Sequence, residues 1–197
     1  MEREAQIPYN PDMALEMVYY PDPRLGQKSA TVTKYTAEFK ALVPQMFEAM
    51  YRHRGIGLAG PQVGVMQRIL VANLSGDPKR RGEEQVFLNP RIVKRSGTML
   101  EEEGCLSLPG LSAKIKRAAE VSVEWLDPDG KEYSAEVDTL AAKLFQHEID
   151  HLDGILMIEK MSAADLKQWK PLLKEMEEDF KAGRAPVRRR DRMTAEL

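Results

Sequence analysis

Two histidines four residues apart, in His147-Glu148-Ile149-Asp150-His151, limit the possible folds of this chain more than any other feature. On a helix such positions share one face, a turn apart. Leu140 and Leu144 precede His147 at a similar spacing. The face that carries both imidazoles is therefore the face that turns inward, and the fold has to close around it. Asp138 to Asp153 reads as that helix, with Gly154 as its stop. Both imidazoles can reach one metal ion, with Glu148 beside them as a candidate base. A buried helix that merely holds two histidines is the plainer alternative.

The 197 residues are enough for one hydrophobic core. Apolar residues at 43% and charged residues at 30% exclude wholesale disorder, collagen and coiled-coil compositions. A net charge of −2 gives no global attraction for nucleic acid. The single cysteine, Cys105, cannot close an internal disulfide, which argues against a stapled secreted scaffold. No signal-like apolar core opens the chain, and no run reaches the ~20 residues that span a bilayer. A cytoplasmic protein without membrane contact is expected.

Residues 1–12 carry two prolines and three acids with no apolar period, which predicts a flexible extension; Met13 offers an alternative start. A helix is expected from Thr36 to Arg52, capped by Thr36, with Phe39, Leu42, Val43, Met46, Phe47 and Met50 as its core stripe. Pro44 should kink or shorten it. Gly55 to Gly64 reads as a glycine-rich loop and 68–73 as a buried strand. Residues 75–84 read as an exposed loop, and 86–94 as a strand broken or edged at Pro90. Strands at 119–126 and 131–137 flank Asp127-Pro128-Asp129-Gly130, a hairpin signal. A last helix begins at Ser162 with the stripe Leu166, Trp169, Leu173, Met176 and Phe180, bent at Pro171. Residues 184–197 hold five arginines and two acids and are expected to form a flexible basic tail.

A catalytic metal site needs a third protein ligand and an open position. Cys105, in Glu103-Gly104-Cys105-Leu106-Ser107, is the better candidate, because a thiolate is a strong soft ligand and glycine beside it permits a tight backbone. A small buried hydrophobe is its plainer reading. His53 competes for the role, but it sits among cations at a helix end and reads as solvated. The glycine-rich loop has G-x-G without the dinucleotide pattern or a phosphate-loop lysine. Within it, the Gln62 amide can donate to a developing oxyanion.

Together and in this order, three segments resemble peptide deformylase: Gly55-Ile56-Gly57-Leu58-Ala59-Gly60-Pro61-Gln62, Glu103-Gly104-Cys105-Leu106-Ser107 and Gln146-His147-Glu148-Ile149-Asp150-His151. The resemblance runs from about Tyr20 to Met161. One departure is Gly60, where that family usually has alanine; a looser loop is the expected consequence. The resemblance implies an α+β fold, with antiparallel sheets packed around a central helix carrying both histidines, followed by a C-terminal helix. The catalytic unit would span 13–183. It implies hydrolytic removal of the formyl group from N-formylmethionine on new polypeptides, and one divalent metal ion. Fe²⁺ is the first expectation, Zn²⁺ is the metal of some members, and Ni²⁺ or Co²⁺ also suits the donors.

On that footing Cys105, His147 and His151 bind the metal. A water bound there attacks the formyl carbon with Glu148 as general acid and base. Gln62 and the backbone N–H of Leu106 hold the oxyanion. The peptide lies extended where Gly57 and Gly104 let it approach, with Ile56, Leu140 and Leu144 as candidates for the methionine pocket. Glu103 and Arg117 are a candidate pair bracing the cysteine loop. A monomer is expected, with Arg188-Arg189-Arg190-Asp191-Arg192 as a candidate ribosome contact. Two rivals remain: an H-E-x-x-H metallopeptidase, which takes a third His or Glu ligand, and a metal-stabilised module that docks on the ribosome.

Overall fold

β-branched and apolar runs build the larger sheet of the computed structural model, which describes residues 14–184. Its strands are β1 (Gly57–Ala59), β2 (Ile69–Ala72), β3 (Gln85–Ser96), β6 (Glu120–Leu126) and β7 (Glu132–Asp138), antiparallel and adjacent in that order. A separate ribbon pairs β4 (Met99–Gly104) with β5 (Ser112–Arg117). The helices are α1 (Ala37–Arg52), α2 (Thr139–Leu152) and α3 (Ala163–Lys181). Residues 1–12, Met13 and the arginine run at 188–192 lie outside the described residues. Arg184, where the expected tail begins, pairs with Asp179 at 2.7 Å. Among the described residues, no helix is long and apolar enough to cross a membrane.

The expected helix α1 forms, and the Thr36 side chain accepts from the Phe39 N–H at its start. Its stripe is buried against β1 and β2. Pro44 neither breaks nor shortens the helix. It sits on the exposed side with Lys40, whose freed carbonyl water can satisfy. Pro171 is likewise exposed within an uninterrupted α3. The α3 stripe is only partly a core stripe. Met176 is buried and Trp169 and Leu173 are half-buried, whereas Leu166 and Phe180 at its ends are exposed.

β3 is neither broken nor an edge. It is longer than the expected 86–94 and runs through Pro90 between β2 and β6. The register shifts between Leu88 and Arg91, and Asn89 takes φ 51 there. That irregularity removes the need for a ladder N–H at Pro90. The Asn89 side chain holds both backbone groups of Val32, at 2.8 and 2.9 Å. The glycine-rich stretch is also more ordered than a loop, since it contains β1 and a 3₁₀ turn at Gly60–Val63.

α2 is the centre of the fold. Leu144, Phe145 and Ile149 pack with Leu70, Phe87, Val121 and Val123 of the larger sheet. The α+β architecture implied by the motifs is the one observed. The ribbon β4–β5 and the turn that joins its two strands lie across the other side of α2, tied by Arg117 to Asp150 and by Lys143 to Glu101. Ile115 and Leu108 join Met157, Met161 and Met176 in a separate core under α3.

Candidate active site

A cavity of ≈ 590 Å³ opens between β1, the turn after β4 and α2. Three elements supply its chemistry. The 105–111 turn brings Cys105. Helix α2 brings His147 and Glu148 to the lining, with His151 a turn further along beside Cys105. The 3₁₀ turn brings Gln62, only 1% exposed.

Cys105, His147 and His151 each offer one ligand atom, and these atoms lie within 4.8 Å of one another. The Cys105 Sγ is 3.2 Å from the His151 Nε2. Two donors at tetrahedral bond lengths sit roughly 3.5 Å apart, so this spacing suits a shared ion. His147 Nδ1 is engaged by Glu103 Oε2 at 3.0 Å, which leaves Nε2 for the cluster. His151 Nδ1 and Glu148 Oε2 are buried without a hydrogen-bond partner among the described residues. One thiolate and two imidazoles form a donor set that suits Zn²⁺ and divalent iron, cobalt or nickel. The residues present therefore fit a single divalent ion.

Burial pushes the Cys105 thiol up, but the His151 and His147 imidazoles beside it outweigh that and hold it well below its ordinary value. Burial likewise disfavours a charged His147, yet Cys105 and Glu103 raise its pKa well above the usual value. Glu148 is raised, chiefly by burial, with the two imidazoles opposing. Glu103 goes the other way. Burial would raise it, but His147 and Arg117 bring it down to about 2.

Glu103 and Arg117 pair as expected, and more tightly than a surface pair. Both side chains are 3% exposed, and the contact is bidentate at 2.9 and 3.0 Å. Arg117 also donates to Asp150, which Lys160 reaches at 2.7 Å. Asp150 and Lys160 escape a motif-based reading, because their link runs through an arginine at the end of an unassigned strand. Ser107 is the other omission. The Gln62 Nε2 donates toward it at 3.5 Å and toward Cys105 Sγ at 3.7 Å. Gln62 is aimed by its other end, where Oε1 accepts from the Ala59 N–H at 2.8 Å.

Ile56, Gly57, Gly104, Leu106, Leu140 and Leu144 all line the cavity. Leu144 is buried, whereas Leu140 is 43% exposed at the rim. Gly57 is tight because of its own chain: a Cβ there would lie 2.9 Å from Glu148 Oε1 and 3.1 Å from Leu144. At Gly104 a Cβ would meet only Leu111 O at 3.7 Å, so nothing internal demands glycine. Gly60 does not loosen its turn. It is buried, and a Cβ would fall 2.5 Å from the Val65 carbonyl oxygen and 2.7 Å from that of Gln67. His53 is not a ligand. Its ring is half-buried, bonded to Ala49 O at 2.9 Å and the Tyr19 hydroxyl at 3.3 Å, so it is not simply solvated either.

A sequence model of the polypeptide deformylase family matches residues 14–167. The chain is 46% identical to a peptide deformylase of Acidobacterium capsulatum over 151 residues, 77% of this chain and 88% of that one. It is 40% identical to one from Chromobacterium violaceum over 163 residues, 83% and 96% of the two chains. Among solved structures, the peptide deformylase of Plasmodium falciparum superposes with a TM-score of 0.83 at 38% identity, covering 87% of this chain and 100% of that chain. That of Legionella pneumophila gives 0.78 at 36%, covering 88% and 100%.

Proposed function

The chain belongs to the polypeptide deformylase family, and from that premise we propose how its own residues carry out the family's reaction. The activity is hydrolytic removal of the formyl group from newly made polypeptides, by a metal-dependent enzyme. We assign the metal to Cys105, His147 and His151. The convergence of these donors beside a cavity lined by Cys105, His147 and Glu148, whose Oε2 has no hydrogen-bond partner among the described residues, is the observation that carries this assignment. A cysteine as third donor favours this reading over an H-E-x-x-H endopeptidase, which takes His or Glu.

A divalent ion bound there supplies a Lewis acid and brings the pKa of a water ligand down, toward ~7 in favourable sites. Glu148 takes the proton of the attacking water. Its burial raises its proton affinity, which suits a group that must accept a proton and then release it. The Gln62 amide and the Leu106 N–H donate to the oxygen of the formyl group as charge builds on it. The formamide C–N bond breaks, formate departs, and Glu148 returns its proton to the peptide amine. The peptide itself lies extended between Gly57 and Gly104, in the manner of an added strand. Ile56 and Leu144, with Leu140 at the rim, take the methionine side chain.

Fe²⁺ is our first assignment for the ion, with Zn²⁺, Ni²⁺ and Co²⁺ as alternatives. We place the enzyme in the cytoplasm as a monomer acting on nascent formyl-methionine chains. Its catalytic unit spans 13–183, and the arginine-rich segment after it is a contact for the ribosome. The decisive experiment is anaerobic metal analysis paired with deformylation of formyl-Met-Ala-Ser, comparing wild type with Glu148→Ala. About one metal per chain in both proteins, with activity abolished only in the variant, is expected from this site. Metal without deformylation in the wild type would overturn the proposal.

A further inference from the structure

We propose that Arg54 is a specificity residue at the mouth of the cavity, recognising an acidic side chain among the first residues after the formyl-methionine. The proposal rests on the deformylase reading above and deepens it.

The backbone around Arg54 is the first observation. Helix α1 closes with the Arg54 N–H on Tyr51 O and the Gly55 N–H on Met50 O, both at 2.9 Å. This is the paired closure in which the residue after the C-cap turns left-handed, a place usually held by glycine. Here it is Arg54, at φ 60. Such a conformation is disfavoured for a residue with a Cβ. Glycine comes one position later, at Gly55, where a Cβ would lie 2.7 Å from Leu106 Cδ1. The chain thus holds a long cation where local preference asks for glycine. Disfavoured conformations of this kind gather at functional sites.

The surroundings of the side chain are the second observation. Arg54 is exposed and lines the cavity. The other cations and carboxylates around the mouth are engaged. Lys143 pairs with Glu101 at 2.9 Å, Glu102 accepts from Ser112 Oγ at 2.7 Å, and Glu103 is locked to Arg117. Arg54 forms no ion pair with any described residue. An unpaired guanidinium beside a peptide cleft presents a fork of donors that matches a carboxylate. The glycine preference at its position gives no structural reason to keep it.

The test uses the metal-loaded full-length enzyme and C-terminally amidated formyl-Met peptides, so that no terminal carboxylate competes. Glu, Gln or Lys is placed in turn at the second, third and fourth positions, and kcat/KM is compared within each set. At one position Glu should exceed Gln by about three- to fivefold at low salt, the size of an exposed charge pair. The ratio should fall toward one near 0.5 M salt. Arg54→Glu should invert the preference toward Lys. Arg54→Gly should abolish it while raising Tm by about 2–4 °C. Glu and Gln equal at every position in an active wild type would overturn the proposal, as would an Arg54→Glu variant that still prefers Glu. A lower Tm for Arg54→Gly would remove the claim that arginine is kept against stability. A wild type that binds metal but deformylates none of the peptides would sink the deformylase reading, and this inference with it.

Discussion

Glu148 can stand where it does because Gly57 has no side chain. The two residues come from distant parts of the chain, and a methyl group on Gly57 would sit 2.9 Å from Glu148 Oε1 and 3.1 Å from Leu144 Cδ1. The carboxylate is the softer neighbour, so it would move. Displacing a catalytic group by about 1 Å can cost roughly 10²-fold in rate. Gly57→Ala is therefore expected to lower kcat by about that factor while the metal content stays at the wild-type level, checked by metal analysis and steady-state kinetics on one preparation. Unchanged kcat would show that Glu148 is not held by this contact. At this scale the sequence was most readable for the donors. His147 and His151 announce themselves by spacing, and Cys105 by its place in a motif. The reason for Gly57 was not readable, because it lies in a contact between residues 91 positions apart. Gly60 makes the same point, since its constraint comes from the carbonyls of Val65 and Gln67 in the turn that follows.

Elements were legible where burial follows a simple period and illegible where charge replaces it. α1 and β2 bury what their apolar pattern says they should, α2 does so except at Leu140, which stays exposed at the rim, and the hairpin of β6 and β7 turns at its Asp-Pro-Asp-Gly signal. The ribbon of β4 and β5 escapes because its inward residues include Glu103 and Arg117 beside Ala113 and Ile115. An alternation that buries an ion pair does not look apolar. The docking of α3 is similar. Its exposed ends contribute little, and part of its hold is polar: the Tyr20 hydroxyl donates to Glu177 Oε1 at 2.7 Å. Burial, and then Glu177 itself, raise the Tyr20 pKa from 10.0 to about 12. The folded state thus holds this proton more tightly than the unfolded chain. The stability it brings is full below pH 10.0 and is lost as pH rises through about 12. Denaturation of wild type and Tyr20→Phe should differ at neutral pH, with the gap closing across that interval. A gap independent of pH would mean that the hydroxyl adds packing and no titrating bond.

The two sheets share no strand, and what joins the ribbon to the rest of the molecule near the cavity is largely ionic or donor chemistry. Cys105 belongs to the turn that follows the ribbon's first strand, while His147 and His151 belong to the helix packed on the larger sheet. An ion held by all three is therefore a cross-link between the two parts. Arg117 makes a second one, from β5 to Asp150 on α2, while holding Glu103 under His147. Binding that occurs only in the folded state adds to stability. The gain is largest for the segments the ligand ties together, since opening is local before it is global. Stripping the metal from the loaded enzyme with a chelator should thus lower hydrogen-exchange protection across 99–117 first, with β2 and β3 little changed. Arg117→Met should loosen the same residues even with metal present, because it leaves Glu103 buried without its cation. Breaking a buried pair in that way typically costs about 3–5 kcal/mol. Uniform loss of protection over both sheets on chelation would show that the ion stabilises the molecule as a whole. Loss confined to the ribbon would identify it as the part of the fold that the active site itself holds in place.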